Sequence, residues 1–205
     1  MAGKCQYVFI ADDFHRSGLG LLKKDFTVIN FKGISNAELI SRICEKPKSK
    51  IKSSVLIIRS TRKLGSAEIR KIAAESNIRL ICTVSSGFDN IDISTCSKNN
   101  INVLNTPHGN TVSAGEFTFA LILSLSKNLI SANHEMKSGI FNNSNVKNFE
   151  LQGKTLGVIG VGRVGSYTAR IGKGLGMKII GNDIDPKVRQ KNKWINFSSL
   201  HYLLA

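Results

Sequence analysis

With 205 residues, 41% of them hydrophobic, the chain is long enough to bury one large core or two small ones. Its formal charge of +15, from 29 Lys and Arg against 14 Asp and Glu, favours anionic ligands in general but says nothing of fold or site, and nucleic acid is not expected on that ground alone. The longest apolar run, residues 117–125, is interrupted by Thr118 and Ser124 and falls far short of a bilayer span, and residues 1–13 carry no secretory pattern, so a cytoplasmic protein without a membrane segment is expected.

From the N-terminus, short β-branched runs alternate with helical patterns. A strand at residues 7–11 precedes a helix near 18–24, a strand at 27–31 and a helix at 35–45, which Ser35 and Glu38 open with a capping-box pattern. Residues 46–52 read as a basic, solvated loop. Strands at 54–59, 79–84 and 101–104 then alternate with a helix at 66–75 and a short helix after Asp92. Such alternation implies a parallel sheet with helices on both faces and ligands beyond the carboxyl ends of the strands, so the loops after Val84 and Leu104 are the expected seat of chemistry. One long helix from about 112 to 136 and a polar surface connection at 137–148 lead to a second α/β unit: strand 154–159, helix 164–175, strand 177–182 and a helix opening near 197. Cys5, Cys44, Cys82 and Cys96 are widely spaced without a CxxC pair, so neither a metal site nor a disulfide scaffold is expected.

The sharpest local signal is Gly160-Val161-Gly162-Arg163-Val164-Gly165, a GxGxxG between a strand and a helix. Gly160 suits the tight turn, Gly162 lets backbone approach a pyrophosphate, and Gly165 lets helix and strand pack closely, while the helix N-terminus offers N–H groups to phosphate. Asp183, at the end of the next strand and 18 residues after Gly165, stands where a carboxylate accepts the ribose hydroxyls of NAD and repels the 2′-phosphate of NADP. Asp185 is a rival for that role, a turn cap is the alternative use of Asp183, and Lys187 and Arg189 lie close enough to weaken the case against NADP.

Four segments in order resemble the D-isomer-specific 2-hydroxyacid dehydrogenase family: Ile58-Arg59-Ser60-Thr61, then Ser86-Gly87-Phe88-Asp89-Asn90-Ile91-Asp92, then the run from Asn105 through Pro107 and His108 to Glu116, and Leu151-Gln152-Gly153-Lys154 leading into the glycine motif. Asn105-Thr106-Pro107-His108-Gly109-Asn110-Thr111 is especially similar to the 3-phosphoglycerate dehydrogenase branch. The resemblance implies an α/β chain with a flavodoxin-like substrate domain at 1–105, followed at 106–205 by a connecting helix and the first part of a Rossmann NAD-binding domain. It implies that Arg59 and the backbone of Ser85, Ser86 and Gly87 hold a small anionic 2-hydroxy or 2-keto acid. It also implies that Ser86, Gly160, Gly162, Arg163, Val164, Gly165 and Asp183 hold NAD, Arg163 and Val164 covering the pyrophosphate. Two departures stand out: Ser85 replaces the family's usual glycine, leaving the backbone there less free, and Gly115 replaces an alanine in the long helix, a cost of about 1 kcal/mol.

The family's catalytic arginine, glutamate and histidine have no counterpart among these residues. His15, His108 and His134 read as loop or surface residues, His108 alone lying near the expected substrate loops, and His201 sits inside the last helix pattern. No catalytic residue is therefore expected in the chain, which reads as the N-terminal part of an NAD-dependent 2-hydroxyacid dehydrogenase, C-terminally truncated and inactive alone, working as a homo-oligomer or with a complementing C-terminal fragment. The alternatives are an NAD-binding scaffold similar to the C-terminal binding protein corepressors and an inactive gene product.

Overall fold

A computed structural model describes residues 7–45, 53–140 and 148–205. The N-terminal segment with Cys5, the basic stretch at 46–52 and positions 141–147 of the expected surface connection lie outside the described residues. The chain divides into two compact units, residues 1–109 and 110–205.

The first unit runs β1 (Tyr7–Ile10), α1 (Arg16–Asp25), β2 (Thr27–Asn30), α2 (Asn36–Cys44), β3 (Ser54–Ile58), α3 (Ser66–Glu75), β4 (Ile78–Thr83), α4 (Ile93–Lys98) and β5 (Asn102–Asn105). Its strands are all parallel in the order β2-β1-β3-β4-β5, the flavodoxin-like arrangement, with its topological switch between β1 and β3. The central strands are buried on both faces, which is why they read as continuous apolar runs. Phe9, Leu56, Ile58 and Ile81 pack with Leu39, Ile43, Ile69 and Ile72 of α2 and α3, while Val8, Ile10 and Ile57 point the other way onto Leu19 and Leu22 of α1. The Ser35 hydroxyl accepts the Glu38 N–H at 3.2 Å, but the Glu38 carboxylate turns to Arg42 at 2.9 Å, so the expected capping box is half made. At α3 the Glu68 carboxylate does reach back, accepting the Gly65 N–H at 3.1 Å.

The second unit runs α5 (Thr111–Ser126), α6 (Leu129–Lys137), β6 (Thr155–Ile159), α7 (Arg163–Gly174), β7 (Lys178–Asn182), α8 (Pro186–Lys191), β8 (Asn196–Phe197) and α9 (Leu200–Leu204), with a parallel sheet ordered β6-β7-β8. The single long helix expected at 112–136 is two helices. Asn128 takes the left-handed conformation at φ 51°, which asparagine tolerates better than most residues, and the helix restarts at Leu129. Gly115 has a packing reason: it is buried against α7, where an added Cβ would lie 2.5 Å from Tyr167 Cδ1. The sequence reading missed α8, although Asp185-Pro186 carries its start signal, Asp185 accepting the Lys187 N–H and Pro186 filling the first position. Among the described residues no helix is long and apolar enough to cross a membrane.

Candidate functional site

In the second unit, β6 passes into α7 through a turn whose geometry assigns each glycine a separate reason. Gly160 lies at φ 82°, a left-handed conformation costly for other residues, and donates its N–H to Asn182 O at 2.8 Å. At Gly165 an added Cβ would overlap the Gly160 carbonyl oxygen, so the third glycine is required by the contact of helix with turn. Gly162 differs from both. Its φ is an ordinary −66°, nothing lies within 4 Å of the place a Cβ would take, and α7 begins there without a side-chain cap. An exposed, sterically open position over an uncapped helix N-terminus suits a phosphate-bearing ligand. Arg163 and Val164 follow directly and are exposed.

Asp183 closes this turn from the end of β7. Its carboxylate accepts the Val161 N–H at 2.7 Å and the Asp185 N–H at 2.9 Å, and the Arg189 guanidinium donates to its main-chain carbonyl. The two neighbouring acids therefore separate in use: Asp183 addresses the glycine turn, whereas Asp185 caps α8.

In the first unit the loops after β3, β4 and β5 meet at one edge of the sheet. Ser85 O accepts the Thr106 N–H at 2.9 Å, Ser86 O accepts Asn105 Nδ2 at 2.6 Å, and the Ser86 hydroxyl donates to Pro107 O at 3.4 Å. The Ser85 hydroxyl lies 2.6 Å from Thr83 Oγ1 and donates to Gly87 O at 2.7 Å, tightening the turn. Ser85 does not occupy a left-handed conformation, so the serine there imposes no backbone strain. Gly87 and Ser85 line a recess of about 340 Å³ with Ser60, Lys63, Asp89 and Asn90. Arg59, exposed at the end of β3, lines a different recess of about 600 Å³ with Asp13, Phe14, His15 and Val84. Of the expected substrate residues, Arg59 thus lines one recess and Ser85 and Gly87 another, at the same end of the sheet, and Ser86 lines neither. His108 is exposed on the turn after β5, while His15 caps α1, its Nδ1 accepting the Ser17 N–H at 3.3 Å.

Sequence reasoning missed two cations here. Lys63 faces the Ser85–Gly87 recess, and Arg62 is buried beside Asp12, with only 9% of its side chain exposed. The signal available was the pair Asp12-Asp13 ending one strand and Arg59 to Lys63 following another, but pairing them requires knowing that β1 and β3 are neighbours.

Titration around these loops follows from local bonds. The Thr95 N–H, then the Ser94 and Thr95 hydroxyls, hold the Asp92 carboxyl below its ordinary value of 3.8. Burial, and then the charge of Asp92, push the Cys96 thiol up to about 11, and burial raises Cys82, so neither supplies a thiolate at neutral pH.

Two units with parallel sheets, one ordered 2-1-3-4-5 and one opening on a glycine turn, define a class, and residues 8–192 match the pattern of the D-isomer-specific 2-hydroxyacid dehydrogenase catalytic domain. The chain belongs to that family. Its curated relatives are D-3-phosphoglycerate dehydrogenases: that of Synechocystis is 31% identical over 86% of this chain and 30% of its own length. That of Bacillus subtilis is 33% identical over 84% and 31%, and that of Homo sapiens 34% identical over 78% and 29%. The chain therefore spans about a third of the length of the curated relatives it matches. Among solved structures, the D-lactate dehydrogenase of Aquifex aeolicus, complexed with NAD and lactic acid, is 28% identical with a TM-score of 0.72 over 97% of this chain and 57% of its own. The TT0316 protein of Thermus thermophilus shares the fold at a TM-score of 0.82, with 23% identity over 97% of this chain and 61% of its own.

Proposed function

We propose that the chain is the part of an NAD-dependent D-2-hydroxyacid dehydrogenase, of the 3-phosphoglycerate dehydrogenase kind, that holds the acid's anionic groups and the adenosine half of the cofactor. Gly162 is the observation that carries this reading. Neither backbone conformation nor internal packing requires glycine there, whereas close approach of a pyrophosphate does. NAD supplies hydride chemistry when bound, and the residues of this chain bind and orient.

In this reading residues 1–105 form the substrate domain and 106–205 the connecting helix and the cofactor side. Arg59 and the Ser85, Ser86 and Gly87 backbone receive a small anionic 2-hydroxy or 2-keto acid, with Ser86 also toward the cofactor. Gly160, Gly162, Gly165, Arg163 and Val164 receive the pyrophosphate, and Asp183 the ribose. With no counterpart to the family's arginine, glutamate and histidine, proton transfer and the carbonyl clamp come from outside these residues, from a longer chain, a complementing fragment or a second copy. The setting is cytoplasmic.

Asp183 decides the cofactor. Its carboxylate faces the glycine turn, where a 2′-phosphate would meet a negative charge, and the Arg189 guanidinium is held on the Asp183 main-chain carbonyl. Calorimetry on the 205-residue chain should show NAD bound at least about tenfold more tightly than NADP, the weight of a single close charge repulsion. Equal or tighter binding of NADP would refute the assignment.

A further inference from the structure

Two arginines and one carboxylate meet where β1 and β3 end, at the switch point of the five-stranded sheet. The Arg62 guanidinium lies 3.0 Å from Asp12 Oδ1, and its Nε donates to both Asp12 oxygens at 3.2 and 3.3 Å. It donates further to Ala11 O at 2.9 Å, Ile34 O at 3.1 Å and Asn36 Oδ1 at 2.7 Å. This is a satisfied, nearly buried pair, with 9% and 17% of the two side chains exposed. The second oxygen of Asp12 accepts the backbone N–H of Arg59 at 2.9 Å. Arg59 O accepts the Arg62 N–H at 3.1 Å, and Asn90 Nδ2 spans the carbonyls of Arg59 at 3.3 Å and Arg62 at 2.9 Å. Residues 59–62 therefore form a turn fastened at both ends, and the Arg59 side chain projects from its first position. Among the described residues no ion pair involves Arg59.

We propose that Arg62 is a positioning residue of the anion site: by occupying Asp12 and locking this turn, it keeps that carboxylate from neutralising Arg59 and leaves the guanidinium available to an anionic substrate. This rests on the reading of Arg59 given above. The physical basis is a competition. A carboxylate already paired and hydrogen-bonded in a nearly buried site gains little from a second, exposed guanidinium, but the same carboxylate without its partner draws in any cation within reach. Removing Arg62 while keeping Asp12 thus both loosens the turn and places an uncompensated negative charge beside the site. Removing the charge of Asp12 as well should relieve the second effect, a rescue that a purely structural role for Arg62 does not predict.

The test uses the full 205-residue chain titrated with inorganic phosphate and with D-3-phosphoglycerate, followed by 1H–15N NMR at the Arg59 side chain and the amides of residues 85–87. Arg62→Met should weaken both anions about tenfold, and Asp12→Asn/Arg62→Met should recover most of that loss. Arg62→Lys, which keeps the charge on Asp12, should stay within about threefold of wild type. Should Arg62→Met not fold, Asp12→Asn decides: it retains an acceptor for the Arg59 N–H and removes a negative charge, so anion affinity should hold or rise. Unchanged affinity in folded Arg62→Met, no recovery in the double variant, or a tenfold loss in folded Asp12→Asn overturns the role of Arg62. Arg59→Ala tests the underlying reading separately. If it binds both anions as tightly as wild type, the anion site is elsewhere, whatever the Arg62 variants do.

Discussion

At the scale of single residues, the loop that carries Ser85 to Gly87 is anchored by a capping carboxylate. Asp92 takes the Thr95 N–H at 3.0 Å and the Thr95 hydroxyl at 2.9 Å, fixing the start of α4 directly after the loop. Because these bonds favour the charged form, its folded pKa lies below the unfolded value near 3.8. The sign follows: the contribution is fully present above the unfolded value and is lost as pH falls through the lower folded one. Urea midpoints of wild type and Asp92→Asn should therefore differ at pH 5 to 7 and draw together progressively as pH falls below about 3.8. A gap that stays constant down to pH 2.5 would contradict a role for the charge. Such caps were legible, since Asp92 before a short helical pattern is a local signal. Arg62 was not, because its partners Asp12 and Asn36 are 50 and 26 residues away and meet only through the strand order.

Elements show the same division between local and non-local causes. The strands and α3 stand close to where their apolar periodicity placed them, since burial on both faces demands that pattern. The break between α5 and α6 escaped because Leu129 and Ile130 resume the apolar pattern directly after Ser126-Lys127-Asn128, which holds neither Gly nor Pro, and one left-handed asparagine stops the helix. Gly115 is the complementary case. Helix propensity alone says that Gly115→Ala should stabilise α5 by about 1 kcal/mol. The Tyr167 ring of α7 makes the opposite expected: with an added Cβ 2.5 Å from Cδ1, overpacking should outweigh propensity and leave the chain about 1–2 kcal/mol less stable. In a Tyr167→Ala background the same change should become neutral or stabilising, a coupling measured by a double-mutant cycle in urea. A stabilising Gly115→Ala in the wild-type background would mean that the ring moves aside at little cost.

For the whole molecule, each of the two units carries its own candidate ligand surface. On the reading proposed above, Arg59, Lys63 and the Ser85–Gly87 turn receive an anion and the Gly160–Asp183 turn a pyrophosphate, while the histidines of the described residues cap a helix or lie exposed. General acid-base help alone is worth about 10²- to 10⁴-fold, so these 205 residues by themselves should form no measurable NADH from D-3-phosphoglycerate. Robust turnover by the purified chain would show that a proton donor has been overlooked. The GxGxxG motif was legible because strand, turn and helix follow one another in sequence, whereas the division of Arg59 and Ser85 between two recesses depends on three loops folding together. Gly162→Ala tests the central claim most directly. The added methyl meets nothing within 4 Å, so the melting temperature should fall only by the modest cost of a poorer helix N-cap, while calorimetric affinity for NAD should fall by at least about tenfold as the methyl enters the space of the pyrophosphate. Unchanged NAD affinity in that folded variant would contradict the assignment of this turn as the cofactor site.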